Sequence, residues 1–266
     1  MSASTLAGQL RGIFGRPPRQ PAALQPACPW FGVVDANRLV AECTPADRFV
    51  IRDPTGIAKR FRRDGDVMLD PTDERCIGWT LLNQQNCSLI NFAMDYFGWG
   101  ATGAASDWSM IGAHIFELIG REMDDYSNGD FAAALKGLSP TELSDYAGPV
   151  FEERNFAELS GLASEDDVAD AIDTGGRHIC LVLAQLATYL DVLEDGEFSI
   201  DRWFHGGGKP GSALFLTAGE GTARQYEWLV QNWYESSINA YDLPAYSAHG
   251  KVWFLEGREI FDCRAM

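Results

Sequence analysis

The sequence predicts an α/β protein: one parallel sheet carrying an inserted all-helical subdomain. Three observations point there. Short β-branched or aromatic runs, bounded by turn signals, occur near both ends of the chain, at 48–52, 67–69, 213–217 and 251–255. Helical periodicity dominates from about 81 to 195. A second strand–helix–strand alternation then returns at 213–255, the pattern of a parallel sheet closed by crossovers.

Residues 1–30 hold Pro17, Pro18, Pro21, Pro26 and Pro29 and read as a proline-rich tail, because proline removes backbone donors and fixes φ. Val34, Leu39, Val40 and Cys43 follow at near-helical spacing. The first strand, 48–52, stops at Asp53-Pro54-Thr55-Gly56. A short helix at 57–63 follows, then a brief strand at 67–69 closed by Asp70-Pro71. Within the helical stretch, turns are expected at 98–103, at Asn128-Gly129, at Ser139-Pro140 and at Gly175-Gly176. Ser139 fits an N-cap, with Pro140 at the first helical position and Glu142 at the third. The strongest helix is expected over 178–193, with Ile179, Leu183, Leu186 and Leu190 on one face. The domain reading is a tail at 1–30, a discontinuous α/β domain at 31–80 and 197–266, and an all-α insertion at 81–196.

The 266 residues carry a formal net charge of −17 and are 46% hydrophobic, an ordinary globular balance. The segment 117–201 holds twenty acidic residues against four basic ones. Such a surface repels phosphates and argues against a general nucleic-acid platform. Local basic patches remain at Lys59, Arg60, Arg62 and Arg63, and at Arg11, Arg16 and Arg19. The first quartet is the candidate nucleic-acid site; the competing reading is a solvated helix face. No apolar run reaches the length of a membrane span and no signal peptide is evident, so a cytoplasmic protein is expected, reaching a membrane only through partners.

Several catalytic signatures fail on inspection. Gly206-Gly207-Gly208-Lys209 is followed by Pro210 and a strand, where a phosphate-binding loop needs Ser or Thr and a helix. The segment 191–202 puts Leu193 and Arg202 where calcium needs oxygen ligands. The six cysteines form no C-x-x-C pair, and the four histidines fall in no metal or triad motif. His114 and His178 read as structural residues of helices, and Trp79, Trp203, Trp233 and Trp253 as core. No catalytic, cofactor-binding or metal residue, and no cofactor, is assigned.

Four segments together resemble the coupling proteins of type IV secretion, of the TraD and TrwB type. Val50-Ile51-Arg52-Asp53-Pro54-Thr55-Gly56 is similar to the family's "V-I-x-D-x-x-G". Leu69-Asp70-Pro71-Thr72-Asp73-Glu74-Arg75, ending at Trp79, is similar to "L-N-P-x-D-x-R-x-x-x-W". Phe198-Ser199-Ile200-Asp201-Arg202-Trp203, followed by 211–217, is similar to "F-S-I-R-D-W … G-W-L-F-L-T". Val252-Trp253-Phe254 resembles the strand leading to the acidic Walker B pair. The resemblance runs from about 33 to 256. It implies a partial RecA-like sheet with an inserted all-α domain, in a family whose ATP-driven hexameric ring at the inner membrane links processed DNA and its relaxase to the secretion channel.

The same resemblance locates departures. The family's phosphate loop would fall at 25–32, where this chain puts Phe31 at the lysine position and Gly32 at the magnesium-hydroxyl position. The expected Asp-Glu pair reads Glu256-Gly257-Arg258-Glu259. No ATP hydrolysis is therefore expected. The favoured reading is a coupling-protein-like component of conjugative DNA transfer that binds DNA, relaxosome proteins or other coupling-protein subunits. The alternatives are an ATP-dependent DNA-translocating motor and a decayed fragment; the family's later strands, arginine finger and N-terminal anchor find no counterpart in these 266 residues.

Overall fold

The computed structural model describes residues 44–84, 87–100, 106–123, 126–153, 156, 160, 162–241 and 251–256. The expected helix at 33–43, the tail and the patch at Arg11, Arg16 and Arg19 lie outside these residues. Four strands, β1 (Arg48–Asp53), β2 (Val67–Leu69), β3 (Ala213–Thr217) and β4 (Val252–Glu256), form one sheet in the order β2-β3-β1-β4, every pairing parallel. Phe49 pairs with Ala213 and Trp253; Arg52 pairs with Leu216 and Glu256. The strands are apolar on both faces, as a parallel sheet covered on both sides requires. Val50, Leu214, Leu216, Val252 and Phe254 face the main core. Ile51, Met68, Phe215, Trp253 and Leu255 face a smaller cluster that includes Ala58 and is lined by Phe49 and Phe61.

The helical body follows β2. It comprises α1 (Leu89–Gly100), α2 (Ser106–Glu122), α3 (Asn128–Gly137), α4 (Pro140–Leu143), α5 (Ala147–Glu152) and α6 (Glu165–Leu190). Helix α6 packs against α2, α3, α4 and α5 and organises the body. After α6 the chain passes a short helical turn at 200–207, enters β3, and continues in α7 (Ala223–Tyr241), which lies against β1, β3 and α1. Trp228 and Trp233 of α7 join Phe92, Tyr96 and Tyr189 in an aromatic cluster that includes Trp79 and Phe116, so the apolar core runs unbroken from sheet to helical body. Trp79, Trp203, Trp233 and Trp253 are all buried, as expected for core residues.

Three expectations need correction. Gly175-Gly176 is not a turn: both glycines lie inside α6, which starts thirteen residues before His178. They continue its buried stripe of Val168, Ile172, Ile179, Leu183, Leu186 and Leu190. Their role is close approach, because a Cβ on Gly175 would overlap the Trp108 indole and one on Gly176 would come to 3.3 Å from Pro140 Cβ. Asn128-Gly129 is likewise not a turn but the first turn of α3, capped by Ser127 in a capping box with Asp130. Asn128 is fully buried there and bridges segments: its side chain donates to Trp79 O (2.7 Å) and accepts from Leu81 N (2.9 Å). Finally, Gly98, Trp99 and Gly100, read as the start of a turn, belong to α1. The Ser139 cap, with Pro140 at the first position and Glu142 closing the box, forms as the sequence indicates.

Candidate functional site

In open parallel sheets, ligands meet the carboxyl ends of the strands. Here β1 and β2 end in twin Asp-Pro-Thr turns. Asp53 Oδ1 accepts from Thr55 N (3.1 Å) and Thr55 Oγ1 (2.6 Å), and its Oδ2 accepts from Ala58 N (2.5 Å). Asp70 Oδ1 accepts from Thr72 N (2.9 Å) and Thr72 Oγ1 (2.7 Å), and its Oδ2 accepts from Lys59 Nζ (3.2 Å). Both aspartates are buried, and each carboxylate is consumed in shaping its own turn. The turn after β3 closes the edge. Gly56, at φ 72°, lies so near Ala218 O that any side chain would overlap that carbonyl, and Gly219 abuts the Thr72 hydroxyl in the same way. The repeated Asp-Pro-Thr at 53–55 and 70–72 was visible in the sequence; its shared hydrogen-bond role shows only in the fold.

The basic quartet leads away from this edge, on and just after the 3₁₀ turn Ala58–Phe61 that Asp53 caps: Lys59 reaches the carboxyl end of β2, while Arg62 and Arg63 contact Asp66 and Gly211, just before the starts of β2 and β3. Its members differ. Lys59 folds inward between Asp70 and Asp73, 3.2 Å from each. Burial works against its ammonium, but the two carboxylates outweigh it and hold its pKa above the ordinary lysine value. Hydrogen bonds from Arg75, assisted by Lys59, hold Asp73 far below the usual carboxylate range. Arg63 donates to Gly211 O (2.9 Å) and faces Asp66 at 3.7 Å. Arg62 Nε reaches Asp66 O at 3.4 Å. Arg60 is exposed, with its guanidinium 5.0 Å over the Phe61 ring.

The nucleotide-related positions divide. Residues 25–32, with Phe31 and Gly32, and residues 257–259 lie outside the described residues. Glu256, which closes β4, is held by Arg52: Nη1 lies 3.1 Å from Oε2, while Nη2 faces Glu227 at 3.8 Å. This pairing across adjacent strands was missed in the sequence reading, because only the register β1↔β4 brings 52 and 256 together. The Gly206–Lys209 segment forms a tight turn in which Gly208 N donates to Trp203 O (2.8 Å) and the chain runs on into β3. Among the described residues no helix is long and apolar enough to cross a membrane, and Cys76, Cys87 and Cys180 are free thiols. Burial pushes the Cys87 thiol up to about 12, far from a reactive thiolate.

With this geometry established, the similarities are specific. The sequence family described as the type IV secretion-system coupling protein DNA-binding domain matches residues 37–256. No curated protein matches at a significant level. Among solved structures, the bacterial conjugative coupling protein TrwBdeltaN70 in its unbound monoclinic form aligns with a TM-score of 0.60 and 22% identity, over 82% of this chain and 49% of that one. The plasmid coupling protein TrwB in complex with the ATP analogue ADPNP aligns with a TM-score of 0.53 and 24% identity, over 83% and 51%. The complex with a GTP analogue aligns at 0.53 and 17%, over 93% and 62%. The chain thus spans about half of the first two structures and 62% of the third, and it shares with them a RecA-like sheet bearing an all-α domain. The chain belongs to the family of type IV secretion-system coupling protein DNA-binding domains.

Proposed function

We propose that this chain acts in conjugative DNA transfer as a coupling-protein domain that engages DNA without hydrolysing ATP. The observation that carries the reading is the family match across 37–256. Two features support the absence of hydrolysis. Phe31 and Gly32 stand where the resemblance places a phosphate-binding lysine and a magnesium-binding hydroxyl, and neither side chain supplies charge or a metal ligand. Glu256, the acidic group closing β4, is ion-paired with Arg52. For DNA contact, the quartet divides its labour. Lys59 braces the Asp70 turn, while Arg60, Arg62 and Arg63 present charge to phosphates. With about two or three phosphate contacts, log Kobs falls with log salt at a slope of about −2 to −3.

The test pairs a phosphate-release assay, with DNA present, with fluorescence anisotropy on a labelled duplex at several salt concentrations. The expected result is no turnover, together with weak binding that Arg60→Ala and Arg62→Ala reduce along with the salt slope. Turnover that survives rigorous purification overturns the non-hydrolysing reading. Tight binding indifferent to salt and to the arginines overturns the site. A second reading, docking of a basic protein surface, is favoured by the exposed acidic ridge of Glu165, Asp166, Asp167, Asp170 and Asp173 on α6. It predicts salt-sensitive binding to a relaxosome or coupling-ring protein that survives loss of the arginines.

A further inference from the structure

On the helical body, away from the sheet edge, His114 and Glu117 of α2 and Glu153, just past α5, bring one imidazole nitrogen and two carboxylate oxygens within 4.8 Å of one another. His114 and Glu117 are three apart on one helix and so share a face. Glu153 is carried in by the packing of α5 against α2. The histidine is the telling member. It is only 3% exposed, and neither ring nitrogen has a hydrogen-bond partner. Its ring meets Phe156 edge-on at 5.0 Å, which accounts for its apolar surface but leaves both polar atoms unpaired. A buried polar group without a partner forfeits its hydration with nothing in return, so such groups call for an explanation.

We infer that His114, Glu117 and Glu153 form a binding site for one divalent transition-metal ion of the zinc class. The donor set, one imidazole with two carboxylates, suits zinc, cobalt or manganese and lacks the all-oxygen shell calcium requires. A zinc-sized ion needs ligand atoms about 3.4 Å apart at bond lengths of about 2.1 Å, a closure that glutamate side-chain rotation supplies. Both glutamates keep some exposure, at 16% and 19%, so an ion has a route from solvent and a fourth ligand can be water. Arg121 now bridges them, 3.1 Å from Glu117 and 2.6 Å from Glu153. It is 52% exposed and is the competitor the ion displaces toward solvent. The dication would neutralise both carboxylates and give the buried ring the partner it lacks. The bound ion would tie α2 to the segment after α5, bracing the helical body rather than acting on the sheet edge.

The experiment titrates the full chain with cobalt(II), read by visible absorption, and with zinc, read by calorimetry. The expected result is one equivalent per chain, with a cobalt band showing nitrogen ligation. Glu117→Gln and Glu153→Gln each weaken uptake tenfold or more, while Arg121→Ala strengthens it by removing the competitor. On zinc addition, one histidine ring signal shifts in nitrogen-15 spectra, and that signal is missing in His114→Asn. Should the His114 variant fail to fold, the two glutamine variants, both at partly exposed positions, decide the matter. Absence of saturable uptake, or uptake that ignores both glutamine substitutions and Arg121→Ala, overturns the assignment and leaves an arginine-bridged carboxylate pair.

Discussion

Gly78 and Gly196 meet backbone to backbone where the chain leaves the sheet for the helical body and where it returns. A Cβ on either would overlap the opposite strand: Gly196 faces Gly78 O, and Gly78 faces Asp195 O. The approach permits Trp79 N to donate to Glu194 O (2.7 Å) and Phe198 N to Gly78 O (3.3 Å), and an antiparallel bridge to form between Trp79 and Glu197. Asp195 Oδ1 locks the same crossing by accepting from Asn128 N (2.7 Å) and Thr80 Oγ1 (3.2 Å).

Gly196→Ala should therefore spread this crossing and weaken both backbone bonds. The obstructing atoms are backbone, which cannot rotate aside, so the expected cost is about 2–3 kcal/mol. Chemical denaturation checks it: the midpoint should fall with the slope preserved.

Gly175 and Gly176 separate two effects of the same substitution. Alanine in a helix interior gains about 1 kcal/mol over glycine. At Gly176 the new methyl would press on Pro140 Cβ at 3.3 Å, a contact relieved by a shift of a few tenths of an ångström that offsets much of the gain, leaving Gly176→Ala near neutral. At Gly175 the new methyl meets the Trp108 ring at three atoms. Gly175→Ala should cost about 1–3 kcal/mol and shift tryptophan fluorescence as the indole moves. Equal stability of the two variants, from parallel urea titrations, would contradict the packing role.

Asp95 sits against α7, where its carboxylate accepts from Asn232 Nδ2 (2.8 Å). Burial lifts its pKa from 3.8 to about 6; the Asn232 bond opposes the shift and Glu235 adds to it. A carboxylic acid raised on folding costs stability above the folded pKa. The cost fades as pH falls from 6 toward 3.8. Asp95→Asn should thus stabilise the protein by about 2–3 kcal/mol at pH 7–8 and give no gain near pH 4. Denaturation of both proteins across that range, read as a difference, checks the sign.

Lys59→Ala tests whether the lysine serves the fold or DNA. Asp70 is fully buried, and losing its ion-pair partner should cost about 2–3 kcal/mol. The DNA salt slope should stay near the parent's, in contrast to Arg60→Ala. A stable variant with a reduced slope would place Lys59 on the DNA instead.

Strand positions, the Ser139 cap and the character of α7 were legible along the chain because each depends on neighbours a few residues away. Period-two and period-3.6 patterns, and cap chemistry, are local properties. The family relationship was legible for the same reason, since its motifs are short runs around Asp53, Asp70, Ser199 and Trp253. The glycine pair of α6 misled because Gly-Gly is a turn signal in isolation. Only the indole of Trp108, sixty-seven residues from Gly175, makes its small size useful.

What the sequence determined by itself was therefore the α/β class, the helical middle and the basic run at 59–63. What only tertiary structure decided was which charges along the chain are already paired. Lys59 meets Asp70 and Asp73, Arg52 meets Glu256, and Arg121 meets Glu117 and Glu153, because strand register and helix packing bring them together. Coulomb and coordination interactions act over a few ångströms of space regardless of separation along the chain, so no local pattern records them.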